Sequence, residues 1–303
     1  MRPLTADSLR GVWATLLLPL NADDSISFDR LESQAQALGE TSVAGLYAHG
    51  TAGEFQTLTE GEYDRINHIL AAAGKPFQIG ASHPSAQVQL SRVERAAELA
   101  PGAIQVIAPD WLPLNPTELL DFLRRIAEAA GDVPLVLYNP PHAKTAVTTQ
   151  QLCQLAEAVP SLIGLKTAGG DKAWFDEATR SGLAIFVPGH FLASMSLLGA
   201  HGSYSNVAAL SPNGAVATAQ DLDVERRIAE FFAAHVVPLQ QAGLSNPALD
   251  KFLAAVGGSA VGGWAVGGWA DAGTRVRWPM QAATDEQVAA ARPVARRLLP
   301  ELF

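Results

Sequence analysis

The chain has 303 residues and a mass of 31.9 kDa, with 48% apolar and 17% charged residues. That balance excludes a disordered or collagen-like chain, and Cys153, the single cysteine, excludes an internal disulfide scaffold. A net charge of −9 and a pI of about 5.2 argue against nucleic acid or an anionic membrane as partner. The lone cysteine fits a reducing compartment. No apolar run approaches the ~18 residues of a bilayer span, and the N-terminus lacks a signal-peptide pattern, so a cytoplasmic protein is expected.

Short apolar runs alternate with helically spaced stretches. In chain order, strands are predicted at Val12–Leu18, Ala44–Ala48, Phe77–Gly80, Ala103–Ile107, Leu135–Tyr138, Leu162–Lys166, Ala184–Val187 and Gly202–Ser205. Helices are predicted between them at Phe28–Leu38, Glu60–Ala73, Ser85–Leu99, Pro116–Ala130 and Thr148–Val159. Thr59 and Glu62 have capping-box spacing, and Pro116 suits a first helical turn. Eight strand–helix units in about 220 residues predict a (β/α)8 TIM barrel. A doubly wound open sheet would carry a Gly-rich turn after its first strand, whereas Pro19-Leu20-Asn21-Ala22 follows here.

Beyond Asp221 the strand signal ends. Val224–Val237, Pro247–Val256 and Asp285–Leu299 read as helices, so residues 1–222 are assigned to the barrel and 223–303 to a C-terminal helical extension. One segment interrupts the pattern: Ala260-Val261-Gly262-Gly263-Trp264 repeats at once as Ala265-Val266-Gly267-Gly268-Trp269. It suits a connector docked through its tryptophans, or a subunit-contact arm or lid.

Chemistry in such a barrel gathers at the C-terminal ends of its strands. Of the five lysines (Lys75, Lys144, Lys166, Lys172 and Lys251), only Lys166 ends an apolar strand. Two readings fit it. A partly buried amine loses affinity for its proton and can attack a ketone or aldehyde to form a Schiff base; alternatively, the lysine is ion-paired at the mouth. Tyr138 ends the preceding strand and is either the phenol that moves protons for such chemistry or a core tyrosine with a satisfied hydroxyl. After the second strand comes His49-Gly50-Thr51-Ala52-Gly53-Glu54. Its glycines permit close backbone approach, successive N–H groups can hold a carboxylate, and Thr51 adds a hydroxyl. Glu54 suits a bond to loop amides.

These residues resemble one family. Gly50-Thr51-Ala52-Gly53-Glu54, Tyr138-Asn139-Pro140-Pro141, Gly164-Leu165-Lys166-Thr167 and Gly199-Ala200-His201-Gly202 with Ser205 have the order and spacing of the dihydrodipicolinate synthase / N-acetylneuraminate lyase family of class I aldolases. Gly11 to Pro19 resembles the family's first strand, and Arg277-Trp278-Pro279-Met280 its segment before the last helix. The resemblance implies a (β/α)8 barrel with a C-terminal helical bundle, assembled as a dimer of dimers, and no metal or organic cofactor. It implies a small-molecule 2-keto acid held on Lys166 as a Schiff base, with Tyr138 as proton shuttle. Thr51 and the amides of Thr51 and Ala52, beside Gly50, would hold the keto-acid carboxylate. Gly189 and the Tyr204 carbonyl would line the amine pocket.

Three departures bear on function. Ala52 stands where synthases of the family carry a second Thr or Ser. Trp111, in Pro109-Asp110-Trp111, stands where they carry a relay tyrosine, and an indole donates one proton without relaying it. Ala143 occupies the position of their arginine, with His142 and Lys144 as candidate replacement cations of different geometry. His190 follows the seventh strand and suits either substrate contact or packing. His201 reads as structural; His49, His68, His83 and His235 show no metal-ligand spacing. Cys153 reads as an apolar helix residue.

The surviving Lys166, Tyr138 and Thr51 point to a class I lyase, aldolase or dehydratase, acting on pyruvate or another 2-keto acid such as a keto-deoxy sugar acid. Two alternatives stay open. One is a dihydrodipicolinate synthase condensing pyruvate with aspartate semialdehyde; the other is a non-catalytic 2-keto-acid sensor.

Overall fold

The computed structural model describes residues 1–258 and 273–303. The Ala260–Trp269 repeat lies outside the described residues. Eight parallel strands close into a barrel in sequence order: β1 (Gly11–Thr15), β2 (Gly45–Ala48), β3 (Phe77–Gly80), β4 (Ala103–Ile107), β5 (Leu135–Asn139), β6 (Leu162–Thr167), β7 (Ala184–Val187) and β8 (Gly202–Tyr204). β8 returns to β1 in the register Gly11↔Gly202, Trp13↔Tyr204. The expected (β/α)8 architecture is therefore present.

Successive strand residues face opposite sides. Trp13, Tyr47, Val136, Phe186 and Tyr204 cluster inside the barrel, while Leu46, Ile79, Val106, Leu137 and Ile185 join the layer under the helices. With both faces covered, the strands read as nearly continuous apolar runs. The first strand is shorter than predicted because Leu17 exchanges hydrogen bonds with the Gln34 side chain instead of a neighbouring strand: Leu17 N–H donates to Oε1 (2.8 Å) and Gln34 Nε2 donates to Leu17 O (3.0 Å).

The intervening helices are α1 (Phe28–Gly39), α2 (Glu60–Ala71), α3 (Ala86–Glu98), α4 (Pro116–Ala130), α5 (Thr149–Ala158), α6 (Lys172–Ala178), α7 (Leu192–Ser196), α8 (Val207–Leu210) and α9 (Pro212–Ala217). Capping boxes start α2 at Thr59/Glu62, α4 at Asn115/Glu118 and α5 at Thr148/Gln151, and Pro116 occupies the first turn of α4. These caps satisfy amide groups that have no partner in the first turn. The short helices α6 to α9 have too few turns for a clear periodicity and are not legible in the sequence.

Four helices follow: α10 (Leu222–His235), α11 (Val237–Gln241), α12 (Asn246–Gly257) and α13 (Asp285–Leu298). The helix expected over 224–237 divides at Val236, and Pro238 falls in the first turn of α11, where its missing N–H is tolerated. α12 packs on α8 and on the 3-10 turn Thr51–Gly53 at the end of β2. It therefore lies over the mouth at the C-terminal strand ends, and is buried on nearly every face. Among the described residues no helix is long and apolar enough to cross a membrane, and no group of three or more His, Cys, Asp or Glu could hold a metal.

Candidate active site

Strand register builds the centre of the site. Pairing between β5 and β6 runs Leu135↔Leu162 and then jumps to Val136↔Gly164, so Ile163 is passed over; Tyr138 then pairs with Lys166. Such an irregularity re-aims the side chains beyond it, and here it sets Lys166 and Tyr138 side by side. The Lys166 amine lies 4.2 Å from the Tyr138 ring centroid, 5.0 Å from that of Tyr47 and 5.2 Å from that of Tyr204. Burial among these rings pulls its pKa from 10.5 down to about 8, and the negative charge of Asp250 opposes the fall.

The loop after β2 closes one side. Thr51 Oγ1 is 3.2 Å from the Tyr138 hydroxyl. The N–H groups of Thr51 and Ala52 open a 3-10 turn and make no hydrogen bond among the described residues, leaving two donors beside the lysine. Gly50 permits this approach: a Cβ there would sit 3.0 Å from the Tyr47 ring and 3.3 Å from Lys166 Nζ. Burial raises the pKa of the Tyr138, Tyr47 and Tyr204 phenols, so all three hold their protons near neutral pH. Tyr204 donates its hydroxyl to Gln78 Oε1 at 2.7 Å.

A cavity of about 830 Å³ opens above this cluster. Its wall includes Thr51, Ala52, Tyr138, His142, Lys166, His190 and Tyr204 from the barrel, and Phe232, Leu249 and Asp250 from the C-terminal helices. Among the described wall residues, Lys166 is the one lysine, no arginine is present, and Asp250 is the one carboxylate. Asp250 is 6% exposed, and burial raises its pKa to about 7 against the attraction of Lys166.

Residues 8–256 match the Dihydrodipicolinate synthetase family. The chain belongs to this family. An uncharacterized DapA-like lyase of Halobacterium salinarum is 31% identical over 175 residues, which cover 56% of this chain and 57% of that protein. A 4-hydroxy-tetrahydrodipicolinate synthase of Methanosarcina barkeri is 30% identical over 163 residues, covering 53% of this chain and 55% of that one. The chain thus spans little more than half the length of these curated relatives. In fold it is similar to the wild-type sialic acid aldolase of Ruminococcus gnavus, with a TM-score of 0.80 at 17% identity over 98% of this chain and 100% of that one.

The positions at which this family member departs from the synthase pattern are placed unequally. Ala52 is buried in the cavity wall. His142 is on the wall, exposed at its rim. Lys144 and Trp111 are not brought to the described wall. The Lys144 ammonium donates to the Trp111 carbonyl at 3.0 Å and lies 5.3 Å from the indole centroid, and Trp111 is 75% exposed. His190 is held by Asn206 (Nδ1 to Nδ2, 2.8 Å) and stacks on Phe232 at 4.9 Å; burial lowers its pKa, keeping it neutral. Gly189 packs against Ser205, where a Cβ would lie 2.1 Å from Oγ, beside the cavity rather than on its wall.

Two features go beyond what the sequence suggests. Glu54 does not cap loop amides alone: its Oε1 takes Lys251 Nζ at 2.5 Å and its Oε2 accepts from Arg277 N–H at 2.9 Å, all in the interior. The second feature is Asp250, which sequence reasoning missed. A signal for it exists, because Asp250-Lys251 are two charges in the middle of an otherwise apolar helix, and charges there are seldom fully buried without a partner.

Proposed function

We propose that this protein is a class I lyase that binds a 2-keto acid, pyruvate or one that contains it as a fragment, as a Schiff base on Lys166. The observation carrying this reading is the Lys166 amine, held among three tyrosine rings with a pKa of about 8 and set beside the Thr51–Tyr138 hydrogen bond. The free N–H groups of Thr51 and Ala52 suit the keto-acid carboxylate. With the carboxylate there, the neutral amine attacks C2. Tyr138 gives its proton to the carbonyl oxygen, takes one back from the nitrogen of the adduct, and passes it to the hydroxyl that leaves as water, so that the iminium forms beside the Tyr138 phenolate. The iminium then withdraws electrons from C3, so that a bond at C3 or C4 can break or form.

Aldolase or dehydratase chemistry on a keto acid such as a keto-deoxy sugar acid fits the wall better than condensation with an aldehyde that carries its own carboxylate. No arginine faces the cavity among the described residues, and Lys144 is engaged by Trp111. The 4-hydroxy-tetrahydrodipicolinate synthase named among the relatives is therefore the second reading. The resemblance also implies a dimer of dimers, which light scattering tests.

The test is borohydride reduction with pyruvate and a panel of 2-keto acids, followed by mass spectrometry of the intact protein and its peptides. A reduced adduct on Lys166 is expected. A protein that binds keto acids yet gains no mass is a sensor rather than a lyase.

A further inference from the structure

Every reaction open to an iminium on Lys166 that yields or consumes pyruvate moves a proton at C3. None of the groups already assigned to the reaction is a carboxylate. Lys166 is consumed in the adduct. The phenols of Tyr47 and Tyr204 hold their protons, because burial raises each of their pKa values, while the Tyr138 oxygen, having passed its proton to the leaving water, pairs with Thr51 Oγ1. His190 is neutral, but its Nδ1 is engaged by Asn206 and its ring is stacked on Phe232.

Asp250 differs from all of these. It stands on α12, over the mouth, and is the one carboxylate on the described cavity wall. It is 6% exposed, and its oxygens make no hydrogen bond among the described residues. The opposite charge it senses is that of Lys166. Its neighbour Lys251 is turned away and committed to Glu54 and to the Arg275 carbonyl, so it does not neutralise Asp250. The Asp250 oxygens are not among the sealed, unpartnered atoms of the interior; they open on the cavity, the space a substrate on Lys166 would fill.

We propose that Asp250 is a further catalytic residue, the acid–base group that carries the C3 proton of the Lys166-bound keto acid. The proposal rests on the Schiff-base reading above. In the forward sense the C3–H bond breaks and the proton goes to an Asp250 oxygen. The C–H electron pair becomes the C2=C3 bond, and the iminium π pair returns to nitrogen. The result is a neutral enamine beside a neutral carboxyl. In the reverse sense the carboxyl returns the proton to C3, regenerating the iminium for hydrolysis. A carboxyl with a pKa of about 7 is suited to both directions near neutral pH.

The experiment separates two steps on the same protein at pH 9, where both Lys166 and Asp250 are largely deprotonated. Borohydride trapping reads iminium formation; loss of the pyruvate methyl proton signal in D2O, followed by NMR, reads C3 exchange. Asp250→Asn and Asp250→Ser are expected to trap pyruvate at close to the wild-type rate and to lose exchange by about 10²-fold or more. Asp250→Glu should recover part of the exchange. Exchange within about threefold of wild type in a variant that traps would assign the proton to another group and overturn the proposal. Loss of trapping in both variants overturns it as well, since Asp250 would then act before the iminium exists. The proposal also fails if the wild-type protein traps pyruvate without exchanging its methyl protons. Wild-type protein that traps no 2-keto acid sinks the Schiff-base reading, and this inference with it.

Discussion

Lys251 Nζ lies 2.5 Å from Glu54 Oε1, with both side chains wholly buried. This ion pair fastens α12 to the loop after β2, the loop that carries Thr51. Because neither charge reaches water, removing one strands the other. Lys251→Met is expected to lower unfolding free energy by about 3–5 kcal/mol, read by urea denaturation. The double variant Lys251→Met/Glu54→Leu should recover part of that loss. A single variant as stable as the wild type would mean that the pair does not hold α12 in place.

Lys166→Ala should abolish borohydride trapping while leaving the circular dichroism and melting behaviour of the wild type. Lys166 is the one lysine on the described cavity wall. Lys144 is bound to Trp111, and Lys172 is exposed in an ion pair with Asp176. An adduct recovered on Lys144 or Lys172 of the wild-type protein would refute the assignment.

Tyr138→Phe removes the hydroxyl that pairs with Thr51 and keeps the ring that packs over Lys166. The fold should survive, and Schiff-base formation and turnover should fall by about 10²–10⁴-fold. A change of less than about threefold would transfer the proton to Thr51 or a bound water.

The pH profile follows from the direction of the lysine shift. At pH 7 an amine of pKa 10.5 is neutral in about one molecule in 3,000, whereas one at about 8 is neutral in about one in ten. Burial disfavours the charged form, so trapping should rise with pH and level off above about 8. Asp250 raises the lysine pKa by its negative charge, and Asp250→Asn should therefore move the midpoint to lower pH. A wild-type midpoint near that of an ordinary lysine would show that the amine is not desolvated.

Activity with pyruvate and aspartate semialdehyde should be poor even though pyruvate forms its adduct. The second carboxylate would meet a wall with Ala52, His142 at its rim and no arginine among the described residues. An unpaired charge in a partly buried site costs several kcal/mol, and each 1.36 kcal/mol is about tenfold in rate. A deficit of about 10²-fold or more in kcat/KM is expected in a coupled assay. A value within about tenfold of an ordinary synthase would promote the second reading.

The sequence by itself determined the barrel and the identity of its central residues. Apolar runs ending in Tyr138 and Lys166 reveal strands covered on both faces, because local periodicity records which side of each element is buried. Thr59, Glu62 and Pro116 mark helix starts for an equally local reason, since a cap bonds within its own turn. The phase that puts Lys166 beside Tyr138 is another matter. It depends on the skipped Ile163, which is a property of how β6 pairs with β5 rather than of either strand.

Tertiary structure alone decided the roof of the site. Asp250 and Lys251 are neighbours in α12, yet one faces Lys166 across the cavity and the other Glu54 behind the β2 loop. Adjacent residues on a helix point about 100° apart, so which of them meets which partner is fixed only when α12 docks. The same docking separates Thr51 from Glu54 within one motif, the first facing the cavity and the second the interior. Lys144 and Trp111 are candidates by position along the chain, and their mutual contact in an exposed loop keeps them off the described wall. Charge, burial and reactivity at these positions arise from elements far apart in sequence, and the energy of a buried charge depends on what the fold brings to meet it.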